Sequence, residues 1–364
     1  MATTTQLAPA PTVTRTQSRF SVRTVLLWLI LIGFFLFLAN AFISNPALFL
    51  RQVINGLSQG AIFALVALGY TMVYGIIELI NFAHGDVYMV GAFISLTIAS
   101  LMRASERTGP VYNFIAVLLM FITAPILCGL LNFTIERVAY RPLRNSPRIA
   151  ALITAIGVSF MLEQIGLFWA GLPSKFLIYF GLSPSSVQGF PALVPKFNLL
   201  ADTGLNVNLT PKQILAVALA IPLMIGLRLF VQKTRIGKAM RATAQNRDAA
   251  RLMGIDVDRI ISITFLIGGA LAGVAGVTGG LYYEGVQWNM GFDMGLKAFT
   301  SAVLGGVGNI TGAMLGGFFI GLVTALSDQY IAGEWTRAVV FGMLVLVLVF
   351  RPTGLLGTGG AAKA

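Results

Sequence analysis

Eight stretches of this chain are apolar and carry at most two charged residues each: 25–43, 52–77, 87–102, 112–135, 149–171, 212–231, 260–283 and 335–350. Each approaches the roughly 20 residues that, at about 1.5 Å rise, cross about 30 Å of hydrocarbon. A soluble fold has no use for all eight. Of 364 residues only 10% are charged, against about 25% in ordinary soluble domains, and mean hydropathy is +0.84. So few charges cannot cover a water-facing surface, so the bilayer is the solvent for most of the chain. In hydrocarbon every backbone N–H and C=O must be paired within the protein. The expected fold is therefore all-α, a polytopic membrane protein of about eight transmembrane helices.

The net charge of +12 excludes nucleic acid as a partner, because the cations are scattered through short loops and form no continuous basic face. Their placement instead sets orientation. Arg15, Arg19 and Arg23 precede the first stretch. Arg137, Arg141, Arg144 and Arg148 fill one loop, Lys233 to Arg259 another, and Arg351 and Lys363 follow the last stretch. These fall on one side, the cytoplasmic one, if the N-terminus is inside. The apolar stretch 297–326 must then not add one complete crossing, which would put Arg351 outside. Its glycines, Gly305, Gly306, Gly308, Gly312, Gly316, Gly317 and Gly321, suit a re-entrant or broken pair of half-segments. One long tilted helix is the plainer reading.

The expected organisation is a disordered cytoplasmic tail over 1–24, a transmembrane domain over 25–351, and a cytoplasmic tail over 352–364. Within the domain lie a periplasmic loop at 172–211 and a cytoplasmic loop at 232–259. The arginines and apolar run ending in Ala39-Asn40-Ala41 also suit a cleavable signal; the 19-residue run favours a retained span. Asn45-Pro46-Ala47 reads as a loop turn.

Enzymatic chemistry finds little support. There is no Gly-x-x-x-x-Gly-Lys-[Ser/Thr] loop, and the single histidine and single cysteine exclude a Cys/His metal cluster. Four places can carry function. Asn81-Phe82-Ala83-His84-Gly85-Asp86 is polar between apolar flanks; it reads either as a loop cap at the cytoplasmic surface or as groups meeting a polar solute. Glu163 is an acid inside an apolar stretch, where ionisable residues are costly; it faces a path or lies near the outer surface. In 305–321 glycine backbone could meet both ends of a zwitterion, or simply pack helices. Asn81, His84, Glu163, Thr300, Gly305, Gly306 and Asn309 form the substrate-path set. Gly269-x-x-x-Gly273 and Gly276-x-x-x-Gly280 favour close helix packing, and Cys128 a core thiol. Finally, Ala239 to Gly254 reads as one helix, suited to a partner's groove or to anionic lipid.

Together these stretches resemble LivH-type permeases of branched-chain amino-acid ABC importers. Thr71 to Gly91 is similar to the first signature, Glu136-Arg-Val-Ala-Tyr-Arg-Pro-Leu-Arg144 to the cytoplasmic loop, Lys297 to Gly317 to the glycine-rich second signature, and Arg351-Pro-Thr-Gly-Leu-Leu-Gly357 to the terminal motif. The resemblance implies a bacterial inner-membrane importer of Leu, Ile and Val. Its partners would be a second homologous permease, two cytoplasmic ATPases and a periplasmic binding protein. No cofactor belongs to this chain; ATP and Mg sit on the ATPases. Asp248-Ala249-Ala250-Arg-Leu-Met-Gly254 is similar to the Glu-Ala-Ala-x-x-x-Gly coupling motif, with Asp in place of Glu. By that likeness Arg241, Asp248, Ala249, Ala250, Leu252 and Gly254 form the ATPase-coupling set. A urea or short-amide permease is the nearest rival, although Phe82 stands where those have Met. The residues are also compatible with a broader amino-acid permease and with an ATP-independent channel.

Overall fold

In the computed structural model, residues 22–77, 81–144, 146–170, 187–201 and 207–357 are described. Most of the 1–24 tail, parts of the 172–211 loop and the last residues of the 352–364 tail lie outside them. The chain divides into two units, Met1–Asn45 and Pro46–Ala364. The first contains α1 (Val22–Ser44), 23 residues whose only charge is Arg23; it already includes the end of the expected tail.

The second unit is built from α2 (Pro46–Ile77), α3 (His84–Leu101), α4 (Pro110–Ile135), α5 (Arg148–Ala170), α6 (Pro211–Lys233), the short α7 (Arg235–Gln245) and α8 (Arg247–Leu252), α9 (Val257–Tyr283), α10 (Met290–Gly305), α11 (Ile310–Ser327) and α12 (Thr336–Phe350). Two short strands, β1 (Gln188–Gly189) and β2 (Gly285–Val286), pair antiparallel with Gln188 opposite Val286. Seven helical stretches among the described residues are long and apolar enough to cross a membrane. The chain is thus an all-α polytopic membrane protein.

Burial separates inner from outer helices. α2, α3 and α9 are buried almost all round. α4 instead exposes Phe114, Leu118, Ile122, Ile126 and Leu130 at four-residue intervals. An exposed apolar stripe of that period is a face toward lipid. Glycine brings the inner helices together. A Cβ on Gly60 would lie 2.7 Å from the Cα of Phe318, and one on Gly56 2.8 Å from the Cα of Leu322, so α2 and α11 touch backbone to backbone. Gly273 meets α4 at Ala124 and Pro125, and Gly276 meets α3 at Ala92. The two Gly-x-x-x-Gly pairs of α9 therefore serve close packing.

Three features bear on the sequence reading, and the first is the broken pair of half-segments expected at 297–326. The stretch 297–326 is divided: α10 begins at Met290, and Gly306 (φ 103°) and Gly308 (φ 89°) break the chain before Asn309 caps α11. The break lies beside Gly75, two residues before the end of α2. The pair is a hairpin reaching that end of the bundle rather than stopping at mid-depth. It also adds two segments, which preserves the parity demanded by the cations. Second, α11 and α12 fold back on each other through a helical turn at 328–335, where Thr336 hydrogen-bonds Asp328 and Ser327. Third, the first part of the 352–364 tail is no tail. Leu355 and Leu356 donate backbone hydrogen bonds to Leu304 and Gly305 (2.8 and 3.1 Å). Pro46, expected in a loop turn, opens α2.

Candidate functional site

The polar motif between α2 and α3 lies inside the protein. Asn81, His84 and Asp86 are all buried, which excludes a loop cap at the surface. His84 is the first residue of α3. Its ring stands edge-on to Tyr70 (4.8 Å between centroids, 72°) and fills the space over Gly69. Gly69 precedes the end of α2 by eight residues, about 12 Å at helical rise. α3 thus starts deep within the bundle. Two turns of backbone close its first amides: His84 N–H donates to the Asn81 carbonyl, and Asp86 and Val87 N–H donate to the Ala83 carbonyl, each at 3.1 Å. Asn81 Oδ1 accepts from the Tyr140 hydroxyl at 2.6 Å.

Asp86 Oδ2 accepts from Ser159 Oγ of α5, and Oδ1 makes no hydrogen bond. A Cβ on Gly291 would lie 2.8 Å from the Asp86 Cα, so the first turn of α10 closes over this carboxylate. Glu163 stands four residues after Ser159 and therefore on the same face of α5. Ser159 and Glu163 both line a cavity of about 340 Å³ whose walls are Tyr70, Phe82, Phe160, Phe292, Phe299 and Phe341. Phe160, Phe292 and Phe341 are more than half exposed, so the cavity opens on a face that the described residues of this unit leave uncovered. Its size is at the small end of the range for ligand pockets, about 300–1,000 Å³.

The end of the bundle where α2 stops is the basic end. Arg144 bridges buried Glu136 and Asp258, Arg141 reaches Asp258 at 2.9 Å, and Ser262 donates to Glu136 at 2.6 Å. This joins the end of α4 to the start of α9. The helix expected over Ala239 to Gly254 is two helices. Asn246 leaves helical geometry (φ −158°, ψ 112°), and its Oδ1 accepts from Asp248 N–H and Ala249 N–H at 3.0 Å. An Asn side chain in that geometry is a strong N-cap, so it ends α7 and starts α8. α8 closes at Gly254, whose φ of +80° suits a residue without a side chain. There Ile255 N–H reaches the Ala250 carbonyl and Gly254 N–H the Arg251 carbonyl, both at 3.0 Å. Ala250 is buried, whereas Leu252 and Met253 are 89% and 82% exposed at the tip. Arg247 donates to the carbonyls of Ile76 and Ile77 (3.3 and 2.6 Å), the last two residues of α2.

Residues 52–348 match the family described as branched-chain amino acid transport system / permease component. The chain belongs to this permease family. The high-affinity branched-chain amino acid transport system permease protein LivH of Escherichia coli is 42% identical over 314 residues, covering 85% of this chain and 96% of that protein. The corresponding BraD of Pseudomonas aeruginosa is 41% identical over 313 residues, with the same two coverages. A probable LivH of Methanocaldococcus jannaschii is 28% identical over 304 residues, covering 82% and 88%.

In this permease the seven path residues named from sequence do not converge. Glu163 lines the cavity; His84 and Asn81 lie behind it in the α2–α3 connection. Thr300 is fully buried and bonds back to the Leu296 carbonyl. Gly305 packs on the backbone of Gly312, Gly306 on Gly357 and Thr353, and Asn309 holds both the Gly312 amide and the Leu356 carbonyl. Those three form a junction locking the terminal motif to the α10–α11 turn, away from the cavity. Of the coupling set, Arg241, Asp248, Ala249, Leu252 and Gly254 are exposed at the basic end and Ala250 anchors α8. The path set named from sequence omits Asp86 and Ser159. The four-residue spacing of Ser159 and Glu163 was the available signal, since it puts two polar groups on one face of an otherwise apolar helix.

The opposite end carries a smaller polar cluster. Glu284 ends α9 in left-handed geometry (φ 53°) and meets Lys212 and Lys196 at 3.1 and 3.3 Å. Burial raises its carboxyl pKa, but hydrogen bonds and charge from both lysines outweigh that and hold it below the ordinary value.

Proposed function

We propose that this chain is the membrane-spanning permease subunit of an ATP-driven importer of leucine, isoleucine and valine, contributing one half of the translocation path. The observation that carries this is the 42% identity with LivH across 96% of that protein's length. The basic end faces the cytoplasm of a bacterial inner-membrane protein, as the bias of Lys and Arg toward cytoplasmic loops requires, and both termini lie there. ATP and Mg are handled by two ATPase subunits. A second, homologous permease closes the open side of the aromatic cavity, and a periplasmic binding protein delivers the amino acid at the other end.

The geometry supports a route from ATP to path. α8 presents an apolar tip, Leu252 and Met253, between charged flanks, which suits insertion into a groove of an ATPase. Arg247 ties α8 to the end of α2, and α2 leads in sequence to the motif that floors the cavity. Movement of α8 when the ATPases close would thereby shift the α2–α3 connection and expose the cavity alternately to each side. Aromatic walls suit a branched aliphatic side chain. The reading is tested by complementation. Cells lacking their own branched-chain permease should regain labelled leucine uptake when given this chain with its encoded partners. Restored uptake of urea and not of leucine would refute it.

A further inference from the structure

We infer that Glu163, backed by Ser159 and Asp86, is the site that receives the ammonium group of the amino acid as it passes through the aromatic cavity. This rests on the amino-acid permease reading and adds a residue-level contact to it.

Three observations converge on Glu163. Glu163 is 9% exposed, it lines the cavity, and it makes no hydrogen bond or ion pair among the described residues. An acid within an apolar membrane segment is a functional site by default, and the Glu163 carboxylate opens on the cavity, where a ligand arriving with the traffic can meet it. The cavity it faces is otherwise aromatic and aliphatic, with Ser159 as the one other polar wall apart from the Tyr70 hydroxyl. Behind Ser159 lies a second carboxylate, Asp86, with Oδ1 unpartnered and the first turn of α10 pressed against it. The lysine of α10, Lys297, lies instead over the ring of Phe63 (5.4 Å). Among the described residues no Lys or Arg pairs with either carboxyl group.

A compact cation with an apolar body fits this arrangement: an ammonium at Glu163, aliphatic carbons against Phe160, Phe292 and Phe299. A bare metal ion fits poorly. Among the described residues no three His, Cys, Asp or Glu side chains gather to hold one, and the aromatic walls offer it nothing. Ser159 has a positioning role: its hydroxyl is spent on Asp86 and fixes that face of α5.

The test uses the complete complex, both permeases, ATPases and binding protein, in proteoliposomes. Glu163→Gln preserves size and removes charge. Leucine carried per ATP hydrolysed should fall by about tenfold or more, the scale of one lost charge-assisted hydrogen bond. ATPase stimulation by loaded binding protein and the thermal midpoint should stay unchanged. Glu163→Asp should restore part of the transport. Replacing sodium and potassium by N-methylglucamine, with Mg kept for the ATPases, should leave wild-type uptake intact. Wild-type transport in Glu163→Gln overturns the assignment, as does a joint fall in ATPase coupling and thermal midpoint, or dependence on sodium or potassium. No leucine uptake by the unmodified complex overturns the permease reading and this site together.

Discussion

Arg247 offers the sharpest test of how the basic helices are tied to the bundle. Its guanidinium donates to the carbonyls of Ile76 and Ile77, the last two residues of α2. A charged donor at a helix C-terminus also complements the macrodipole. Hydrogen bonds to a charged group contribute about 1.5–3 kcal/mol. The side chain is part-buried and the longer contact is weak, so the pair together is assigned about 2 kcal/mol. At about 1.4 kcal/mol per tenfold, Arg247→Ala should raise the detached population of α8 by up to about 30-fold. Ala250 remains as a second anchor, so this is an upper bound. Hydrogen exchange of the α8 amides, followed by mass spectrometry in nanodiscs, reads it directly: exchange should accelerate across 247–254 and remain unchanged in α9. Leucine transport per ATP should fall in parallel. Unchanged exchange in α8 would refute the argument that this contact joins the helices to α2.

Gly60→Val should lower the thermal midpoint in detergent, because its Cβ alone would meet the Phe318 backbone; overpacking of this kind costs about 1–3 kcal/mol, and an unchanged midpoint would contradict the backbone contact of α2 with α11. Gly254→Leu should destabilise the end of α8 by about 1–2 kcal/mol through its left-handed φ, with uptake uncoupled from ATP hydrolysis while membrane insertion stays intact, as read by paired uptake and phosphate-release assays. Leu252→Asp should leave folding unchanged and weaken ATPase association, measured by co-purification. For Glu284 the folded carboxyl is held below its unfolded value near 4.3, so its contribution to stability is present above that value and is lost as pH falls through the folded one; the difference in midpoint between wild type and Glu284→Gln should shrink as pH is lowered from 7 to 3.

Much of the fold was legible because a bilayer imposes length and charge on each span. The Gly-x-x-x-Gly pairs of α9 and the cation bias carry the same physical meaning in sequence and structure. Other features depend on tertiary contacts that local pattern does not encode. The motif holding His84 and Asp86 admits a surface loop cap as well as a solute contact, because polar residues between spans are usually wet, yet here the chain turns back into the bundle where Gly69 makes room for a ring. Gly305, Gly306 and Asn309 read as path candidates, but the terminal motif from a distant part of the chain bonds the Gly305 carbonyl and the Asn309 side chain and packs on Gly306. Asn246 lies in a helix-favouring window, yet its side chain caps the amides of Asp248 and Ala249 and so divides that window into two helices. The cavity was the least legible element, since its walls come from α2, α5, α10 and α12 and only Glu163 stood out chemically.

The central claim is tested most directly by leucine uptake into proteoliposomes holding the two permeases and two ATPases, with and without ATP inside and with and without loaded binding protein. The account predicts accumulation against a gradient only when both are present, with urea excluded. Equal uptake without ATP would contradict it and identify a channel.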